Sequence, residues 1–166
     1  MTDLCAIARN SLIHHLSGHR SALPYPVCGI RAACFVTLRD ASDQLRGCIG
    51  TLEPTQPDLA QEVAQNAISA ATRDHRFNAL SFNDLSSTRI EVSVLAEPEA
   101  CSFQDLDPKI YGVVVVKGHL RGVLLPDIEG IESAETQVDI ARRKAQIAPS
   151  DAVRLFRFQV EKHVES

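Results

Sequence analysis

This 166-residue sequence contains no tryptophan, and its only aromatic side chains are those of two tyrosines and six phenylalanines. Proteins that bind single-stranded nucleic acid stack the bases on aromatic rings, and few such rings are available here. The formal net charge of −4 also lacks the basic excess that a phosphate backbone attracts. The composition therefore argues against a nucleic-acid-binding protein.

Long apolar runs and metal-binding spacings are also missing from the sequence. No run approaches the roughly 20 apolar residues that cross a bilayer, and Met1 to Cys5 lacks the basic start of a signal peptide. The five cysteines are odd in number and form no C-x-x-C pair. A disulfide framework and a zinc knuckle are therefore not expected. We expect a cytoplasmic protein without membrane contact, resident metal or cofactor.

Apolar residues recur with helical spacing in three segments and with strand spacing in six. The helical spacing predicts helices over residues 2–17, with Gly18 as the stop, 58–73 and 134–147. Strands are predicted over residues 33–38, 45–52, 88–95, 112–117, 120–125 and 153–160, including two hairpins. Residues 21–29, 96–108 and 126–133 are expected to be loops. Ser81 and Asp84 resemble a capping box.

The order of these elements, strands interrupted by helices with hairpins between strands, predicts the fold class. We expect an α+β protein with mainly antiparallel sheet flanked by helices. The length is that of a single domain over residues 1–166, or of two small lobes that share a core.

The segment Leu45–Gly50 reads Leu-Arg-Gly-Cys-Ile-Gly and places a thiol between two glycines in a predicted strand. If Gly47 and Ile49 face the core, Arg46, Cys48 and Gly50 share the opposite face, with a gap beside Cys48 where Gly50 has no side chain. An arginine favours the reactive thiolate, so Cys48 is a candidate nucleophile and Arg46 a candidate anion-orienting group. The alternative is that Cys48 is a small buried hydrophobe, as most free cysteines are.

Other titratable residues are weaker candidates. His75 would be a base for Cys48 if the fold brought the two together, although a solvated helix end is the simpler interpretation. Glu91 lies on the polar face of a strand and would form an ion pair with Arg46 or Arg121, or move protons. His119 and Arg121 lie at the second hairpin, where Leu120-Arg121-Gly122 repeats the start of the motif. They would hold a phosphate or carboxylate, or form a solvated edge.

Several segments together resemble the AMMECR domain family, whose bacterial and archaeal members are called AmmeMemoRadiSam system protein A. The resemblance begins with the hallmark Leu45-Arg46-Gly47-Cys48-Ile49-Gly50 and covers essentially the whole chain. The other matching segments, in the family's order, are Phe35-Val36-Thr37-Leu38, Asn66-Ala67-Ile68-Ser69-Ala70-Ala71, Asp74-x-Arg76-Phe77, Ile90-Glu91-Val92-Ser93-Val94-Leu95, Gly122-Val123-Leu124-Leu125-Pro126 and Ala141-Arg142-Arg143-Lys144-Ala145.

The resemblance implies a two-lobed α/β protein with antiparallel sheet, a smaller second lobe and a groove near the hallmark. That groove would involve Gly47, Ile49 and Gly50, with His119 and Arg121. The family has no established reaction, and its members are associated with a Memo-like protein and a radical-SAM enzyme. We therefore expect a binding or accessory component acting with those two proteins, with a small anionic ligand as a further candidate partner. The alternative is an enzyme that uses Cys48 as nucleophile or thiolate and Arg46 to orient an anionic group.

Overall fold

A computed structural model describes residues 2–19 and 25–166, and they divide into two units. The first unit extends to Val94 and includes Glu161–Ser166, and the smaller second unit is Leu95–Val160. Each unit contains one four-stranded sheet and at least one α-helix, and the strand pairs that have a defined register are antiparallel. The predicted α+β class is confirmed.

The first unit places the hallmark on the outermost strand of its sheet. Its sheet order is β2-β1-β3-β8, and β1 is antiparallel to both β2 and β3. Since β2 has a strand on one side only, half of its backbone groups point away from the sheet. The elements are α1 (Leu4–Leu16), β1 (Cys34–Arg39), β2 (Leu45–Gly50), α2 (Leu59–Thr72), a 3-10 helix (Phe82–Ser87), β3 (Arg89–Leu95) and β8 (Val160–Val164).

The inner face of the first sheet packs against α1 and α2. Alternate residues of β1 are buried, so Cys34, Val36 and Leu38 have no exposed surface and join the core formed with both helices. Burial of a side chain such as Leu38 contributes about 1.5–3 kcal/mol. Small residues on α2 let the helix approach the sheet closely. A Cβ atom at Gly47 would lie 2.3 Å from the carbonyl oxygen of Ala70, so only glycine fits there.

The second unit repeats this packing with different residues. Its sheet order is β4-β7-β5-β6, and α3 packs on β5 and β6 with Val113, Val115 and Val138 in the core. A Cβ atom at Gly122 would lie 1.9 Å from the carbonyl oxygen of Ala141. The elements are β4 (Glu99–Cys101), a 3-10 helix (Phe103–Asp105), β5 (Gly112–Lys117), β6 (Leu120–Leu124), α3 (Ala134–Lys144) and β7 (Arg154–Phe158).

The two units share one arrangement: a hairpin, a helix, and a third strand beside the first strand of the hairpin. The glycines of the two Leu-Arg-Gly triplets correspond, because Gly47 pairs with Leu38 as Gly122 pairs with Val115. The arginines do not, because Arg121 pairs with Val116 while the register of β2 shifts at Arg46. Each of these glycines meets a carbonyl oxygen of its helix. The position of Cys48, opposite Thr37, corresponds to that of Val123, opposite Val114.

The fourth strand of each sheet differs from the sequence prediction. Residues 96–108, expected to be a loop, contain β4, and the strand expected over residues 153–160 divides at Gln159 into β7 and β8. Although β4 follows β3 along the chain, it pairs with β7, while β8 follows β7 and lies beside β3. A strand of three residues has little hydrophobic periodicity, so its assignment depends on its tertiary partner.

The remaining element predictions agree with the structure apart from their ends. The helix expected over residues 134–147 ends at Lys144, because Gln146 adopts a left-handed conformation with φ of 59°. The capping box at Ser81 and Asp84 is confirmed. Of the loop expected over residues 21–29, residues 21–24 lie outside the described part of the chain. No helix within residues 2–19 and 25–166 is long and apolar enough to cross a membrane.

Candidate functional site

From Gly47 to Gly50, strand alternation divides the hallmark between two faces, as expected from the sequence. Gly47 is buried against α2, and Ile49 packs against the core of the first unit. Cys48 and Gly50 alternate with them on the opposite side, which we call the outer face. The register of β2 against β1 shifts at Arg46, so alternation does not assign Arg46 to either face. Gly47 and Ile49 therefore contribute to a binding surface only by holding the backbone against the helix, and not through side chains presented to a ligand.

The gap expected beside Cys48 is filled. Phe35 pairs with Gly50 across the ladder between β1 and β2. A Cβ atom at Gly50 would lie 2.3 Å from Cγ of the Phe35 ring, so this ring occupies the space that the missing side chain leaves. The expectation of a gap at Gly50 was wrong, because its tertiary neighbour is an aromatic residue of the adjacent strand. Gly50 thus permits close packing of Phe35.

Cys48, Thr37 and Glu91 form one row across three strands of the outer face. Thr37 pairs with Cys48 on one side and with Glu91 on the other. The Cys48 thiol is half-buried and lies 3.4 Å from the Thr37 hydroxyl oxygen. The hydroxyl can donate to or accept from the thiol, but it is not a base at neutral pH. The contact therefore orients the thiol but provides no base that could remove its proton.

Glu91 is an ion-pair residue with partners that the sequence did not indicate. Its Oε1 lies 3.1 Å from Nε of Arg39, and its Oε2 lies 3.6 Å from Nζ of Lys162. Its side chain is only 8% exposed. The expected ion pair exists, but Arg39 and Lys162 take the place of Arg46, because Arg39 is on the adjoining strand and Lys162 is on β8. Glu91 is thus already neutralised by cations.

Asp74 and Arg76 hold the outward-facing backbone groups of Cys48. The peptide N–H of Cys48 donates to Oδ2 of Asp74 at 2.9 Å, and Nη2 of Arg76 lies 3.5 Å from the Cys48 carbonyl oxygen. Arg76 also donates to Asp74 through Nε at 3.0 Å and Nη2 at 2.7 Å. We call this pair the Asp74–Arg76 clip. It takes the place that a neighbouring strand would have at Cys48.

The two side chains of the clip carry opposite charges and form an ion pair. The pKa of Asp74 lies well below its usual range, chiefly because Arg76 donates to the carboxylate, with a further hydrogen bond from the Cys48 N–H. The Asp74 side chain is 5% exposed, whereas that of Arg76 is 58% exposed. The carboxylate is therefore the buried half of the clip and the guanidinium its solvated half. From the sequence, this segment is expected only to be a polar stretch after a helix. No local pattern shows that Asp74 contacts Cys48, a strand residue 26 positions earlier in the chain.

Arg46 differs from Arg39, Arg76 and Lys162, which form ion pairs with Glu91 or Asp74. It is half-buried, and within residues 2–19 and 25–166 it forms no hydrogen bond or ion pair. It acts at longer range on Asp84, whose pKa is lowered first by Ser81 and also by the positive charge of Arg46. The guanidinium therefore keeps hydrogen-bond donors that no described residue uses.

A buried carboxylate on α2 fixes the segment that follows the hallmark. Glu62 is 1% exposed and accepts from the Thr51 hydroxyl at 2.6 Å, from N–H and hydroxyl of Thr55 at 2.7 and 2.9 Å, and from the Gln56 N–H at 2.8 Å. Burial would raise the pKa of Glu62, but these hydrogen bonds outweigh it and the pKa is lowered. The end of β2 is thereby tied to the helix behind it.

The remaining sequence-predicted residues are His75 in the first unit and His119 and Arg121 in the second. His75 is exposed, and among the described residues it makes no hydrogen bond, so the structure does not place it as a base on the thiol. His119 is exposed in the turn between β5 and β6, and Arg121 is exposed on β6, both in the second unit. In the part of the chain that the structure describes, no three His, Cys, Asp or Glu side chains converge as a metal site would require.

Comparison with known proteins gives a consistent assignment. The family model described as AMMECR1 matches residues 5–163. A protein from Thermotoga maritima is 50% identical over 135 residues, which cover 80% of this chain and 78% of that protein. A protein from Clostridium acetobutylicum is 37% identical over 166 residues, covering 96% of this chain but 35% of its own length. This chain therefore corresponds to about a third of that longer relative.

A solved structure has the same fold. The uncharacterized protein PH0010 from Pyrococcus horikoshii superposes with a TM-score of 0.83 at 26% sequence identity, covering 96% of this chain and 88% of that protein. Because the family model spans nearly all of the sequence and the Thermotoga maritima relative matches over 78% of its own length, the chain belongs to the AMMECR1 family.

Proposed function

We propose that this protein is a cytoplasmic binding component that acts with a Memo-like protein and a radical-SAM enzyme through the outer face of β2. The partners are those that the family resemblance implies. The support from the structure is the environment of Cys48. Its peptide N–H donates to Asp74 and its thiol lies against the Thr37 hydroxyl, so the residue is a fixed part of a surface.

The same observation argues against nucleophilic acyl transfer as the main role of Cys48. Such a nucleophile needs a base within hydrogen-bond reach, and enzymes of this kind use backbone N–H groups near the nucleophile to stabilise the oxyanion. The Cys48 N–H is occupied by Asp74, and the thiol's hydrogen-bond neighbour is a hydroxyl. Both features suit a binding surface.

The second candidate function, thiolate chemistry at Cys48, is favoured by one observation. Cys48 is half-buried, whereas Cys5 and Cys34 are buried and desolvation raises the pKa of these two thiols to about 11 and about 12. A reagent can therefore reach Cys48 in the folded protein. In this alternative Arg46 orients an anionic substrate group.

A thiol footprint tests the proposed binding role. In a Cys28→Ser/Cys101→Ser variant, Cys48 is the accessible thiol, since Cys5 and Cys34 are buried. The purified Memo-like protein and the purified radical-SAM enzyme are added separately, and the alkylation rate of Cys48 is followed by mass spectrometry. We expect at least one of them to slow alkylation about tenfold or more. Cys48→Ser is expected to bind that partner as tightly as the native protein does.

A matched control variant, Cys28→Ser/Cys48→Ser, reports on Cys101, which lies half-buried on β4. Its alkylation rate should not change with either partner. If neither partner binds, or if a bound partner leaves Cys48 alkylation unchanged, the proposed role of this face is wrong. Loss of all binding on Cys48→Ser substitution would instead favour a direct role of the thiol.

A further inference from the structure

Each of the two sheets has two edge strands, and side chains occupy the backbone groups of two of these four edges. On β2, the Asp74–Arg76 clip holds the N–H of Cys48 and lies beside its carbonyl oxygen. On β6, Nζ of Lys144 donates to the carbonyl oxygen of Val123 at 2.8 Å. A third edge strand, β4, has only three residues. Addition of a further strand needs several free backbone groups in succession, and the remaining edge strand, β8, has five residues.

The register of β8 against β3 follows from two backbone hydrogen bonds at its ends. The N–H of Ala96 donates to the carbonyl oxygen of Gln159 at 2.9 Å, and the N–H of Glu165 donates to that of Ile90 at 3.0 Å. The two strands are therefore antiparallel, and both bonds belong to one register, so the strand between them contains no bulge. Alternate residues of β8, beginning with Gln159, direct their backbone groups towards β3.

The intervening residues of β8 direct their backbone groups away from the sheet. These include Lys162 and Val164, both of which are exposed. In the part of the chain that the structure describes, no side chain or loop donates to or accepts from their backbone groups. The outer edge of β8 is therefore open to a further strand.

The end of β8 is firmly anchored. Arg9 donates to the Glu165 carboxylate through Nε at 2.8 Å and Nη2 at 2.6 Å, and the Ile90 N–H donates to the same carboxylate at 3.1 Å. Arg9 also donates to the carbonyl oxygens of Leu85 and Thr88 at 2.7 and 2.6 Å. A strand that is already fixed loses little conformational freedom when another strand pairs with it, which favours association.

The sequence of β8 is complementary to itself in antiparallel orientation. It reads Val160-Glu161-Lys162-His163-Val164. A two-fold axis at Lys162 places Glu161 opposite His163 of a second copy and Val160 opposite its Val164. An imidazole can donate to a carboxylate whether or not it carries a charge. Val164 is 53% exposed, so its pairing with Val160 also removes apolar surface from water.

Lys162 faces its own copy across this axis, and a lysine on an edge strand commonly opposes pairing. Here Nζ of Lys162 lies 3.6 Å from Oε2 of Glu91, on the neighbouring strand and away from the open edge. The two ammonium groups are therefore directed away from each other, each towards a carboxylate of its own chain. The adjacent registers place Glu161 opposite Glu161 or His163 opposite His163 and lack the complementary contacts.

We infer that two copies of this chain associate by antiparallel pairing of their β8 strands about a two-fold axis at Lys162. The two four-stranded sheets join into one continuous sheet of eight strands. Glu161 and His163 already lie 2.9 Å apart within one chain, so the pair of strands brings two carboxylates and two imidazoles into one alternating cluster. One strand pair buries less surface than a standard interface, so the dimer is a weak one. Its formation needs neither of the proposed partners.

Analytical ultracentrifugation of the purified chain, from about 1 μM to 1 mM, measures the self-association. We expect a monomer–dimer equilibrium. His163→Glu places a carboxylate opposite Glu161 of the second copy at two symmetric positions, and should raise the dimer dissociation constant about 10- to 100-fold. Val164→Pro removes an outward N–H that does not bond to β3, so it should weaken the dimer while leaving the fold intact.

A mixture of two variants tests the register. The Glu161→Lys and His163→Glu chains each lose the carboxylate–imidazole contacts with copies of themselves. In the mixed dimer, the new lysine at position 161 faces the new carboxylate at position 163, and the native contact remains at the other end. We expect native mass spectrometry to show the mixed dimer in excess over either homodimer. Glu129→Lys, an exposed loop substitution with the same charge change, is the matched control and should dimerise as the native chain does.

Hydrogen exchange locates the contact. The amides of Lys162 and Val164 should exchange more slowly at high protein concentration, whereas the His163 amide, which points towards β3, should not change. A chain that stays monomeric to about 1 mM would overturn the inference. So would a dimer that both His163→Glu and Val164→Pro leave unchanged, or a mixture that forms no excess of the mixed dimer. Circular dichroism and thermal unfolding check the fold of each variant, and the two charge variants decide the outcome if Val164→Pro does not fold.

Discussion

Replacing Asp74 with alanine removes the acceptor that holds the peptide N–H of Cys48. The two atoms are 2.9 Å apart, and the Asp74 side chain is 5% exposed, so water has little access to replace the carboxylate. The same substitution removes the ion-pair partner of Arg76. Both effects act on the hallmark strand at its exposed edge.

The two effects differ in size. A hydrogen bond to a charged group contributes about 1.5–3 kcal/mol, whereas a solvated ion pair contributes less than about 1 kcal/mol. The Arg76 guanidinium is 58% exposed, so its pairing belongs to the second class. We expect Asp74→Ala to lower the free energy of unfolding by about 2–3 kcal/mol, and Arg76→Ala by less than about 1 kcal/mol.

Urea denaturation measures the loss of stability, and hydrogen exchange locates it. The Cys48 amide should exchange much faster in Asp74→Ala, while the Ile49 amide, which points towards β1, should keep its protection. The pKa of Asp74 is lowered by folding, so its contribution is present above the ordinary carboxyl pKa of about 3.9 and disappears as the pH falls below it. The difference between native protein and variant should therefore be constant from about pH 5 to 8 and shrink in acid.

Two results would refute this reasoning. Equal losses of stability for Asp74→Ala and Arg76→Ala would mean that the ion pair, and not the hydrogen bond to Cys48, carries the effect. Unchanged exchange at the Cys48 amide in Asp74→Ala would mean that the clip does not hold the strand. Either outcome would leave the proposed binding surface without a positioning role for Asp74.

Three further predictions follow from the packing and the buried polar groups. Gly47→Ala and Gly122→Ala place a methyl carbon 2.3 and 1.9 Å from a helix carbonyl oxygen. Each should lower the free energy of unfolding, measured by urea denaturation, by about 2–3 kcal/mol. Native stability in both variants would show that the helices move away from the added methyl groups at no energetic cost. Glu62→Gln should lower the free energy of unfolding by about 2–3 kcal/mol at pH 7. The difference in stability between native protein and variant should shrink below about pH 4, because folding lowers the pKa of Glu62. A difference in stability that stays constant down to pH 3 would contradict this prediction. Cys34, whose pKa burial raises to about 12, should resist thiol reagents at pH 8 until the protein unfolds; labelling of the native protein, followed by mass spectrometry, would contradict its burial.

Local patterns predicted most of the elements in this fold. Alternation placed β5 at Gly112–Lys117 and the hallmark on a strand, and helical spacing placed α2 within two residues at each end. Alternation also separated Gly47 and Ile49 from Cys48 and Gly50, because the period of two in a regular strand does not depend on its neighbours. It did not place Arg46, where the register of β2 against β1 shifts. The sequence did not predict to which sheet β4 and β8 belong, because each strand completes a sheet whose other strands come from another part of the chain.

The candidate site was predictable only in part. Cys48 could be placed on one face of a strand from its spacing, and Glu91 on the polar face of another. The register shift at Arg46 could not be predicted, because it is a property of the pairing of β2 with β1. The partners of Cys48 and Glu91 could not be predicted either, because Asp74 lies 26 residues from Cys48 and Arg39 lies 52 residues from Glu91. Ion pairs and hydrogen bonds form between groups that packing brings together, and charge alone does not select among many arginines.

The sequence by itself determined the family, the α+β class and the faces of the hallmark residues from Gly47 to Gly50. These properties follow from side-chain chemistry and backbone periodicity, both of which are local. The tertiary structure decided which groups surround Cys48. Phe35 occupies the space at Gly50, and the Cys48 N–H donates to Asp74. Glu91 forms ion pairs with Arg39 and Lys162. Arg46 keeps unused hydrogen-bond donors among the described residues. Such contacts join distant segments, and only the packing of helices on the sheets specifies them.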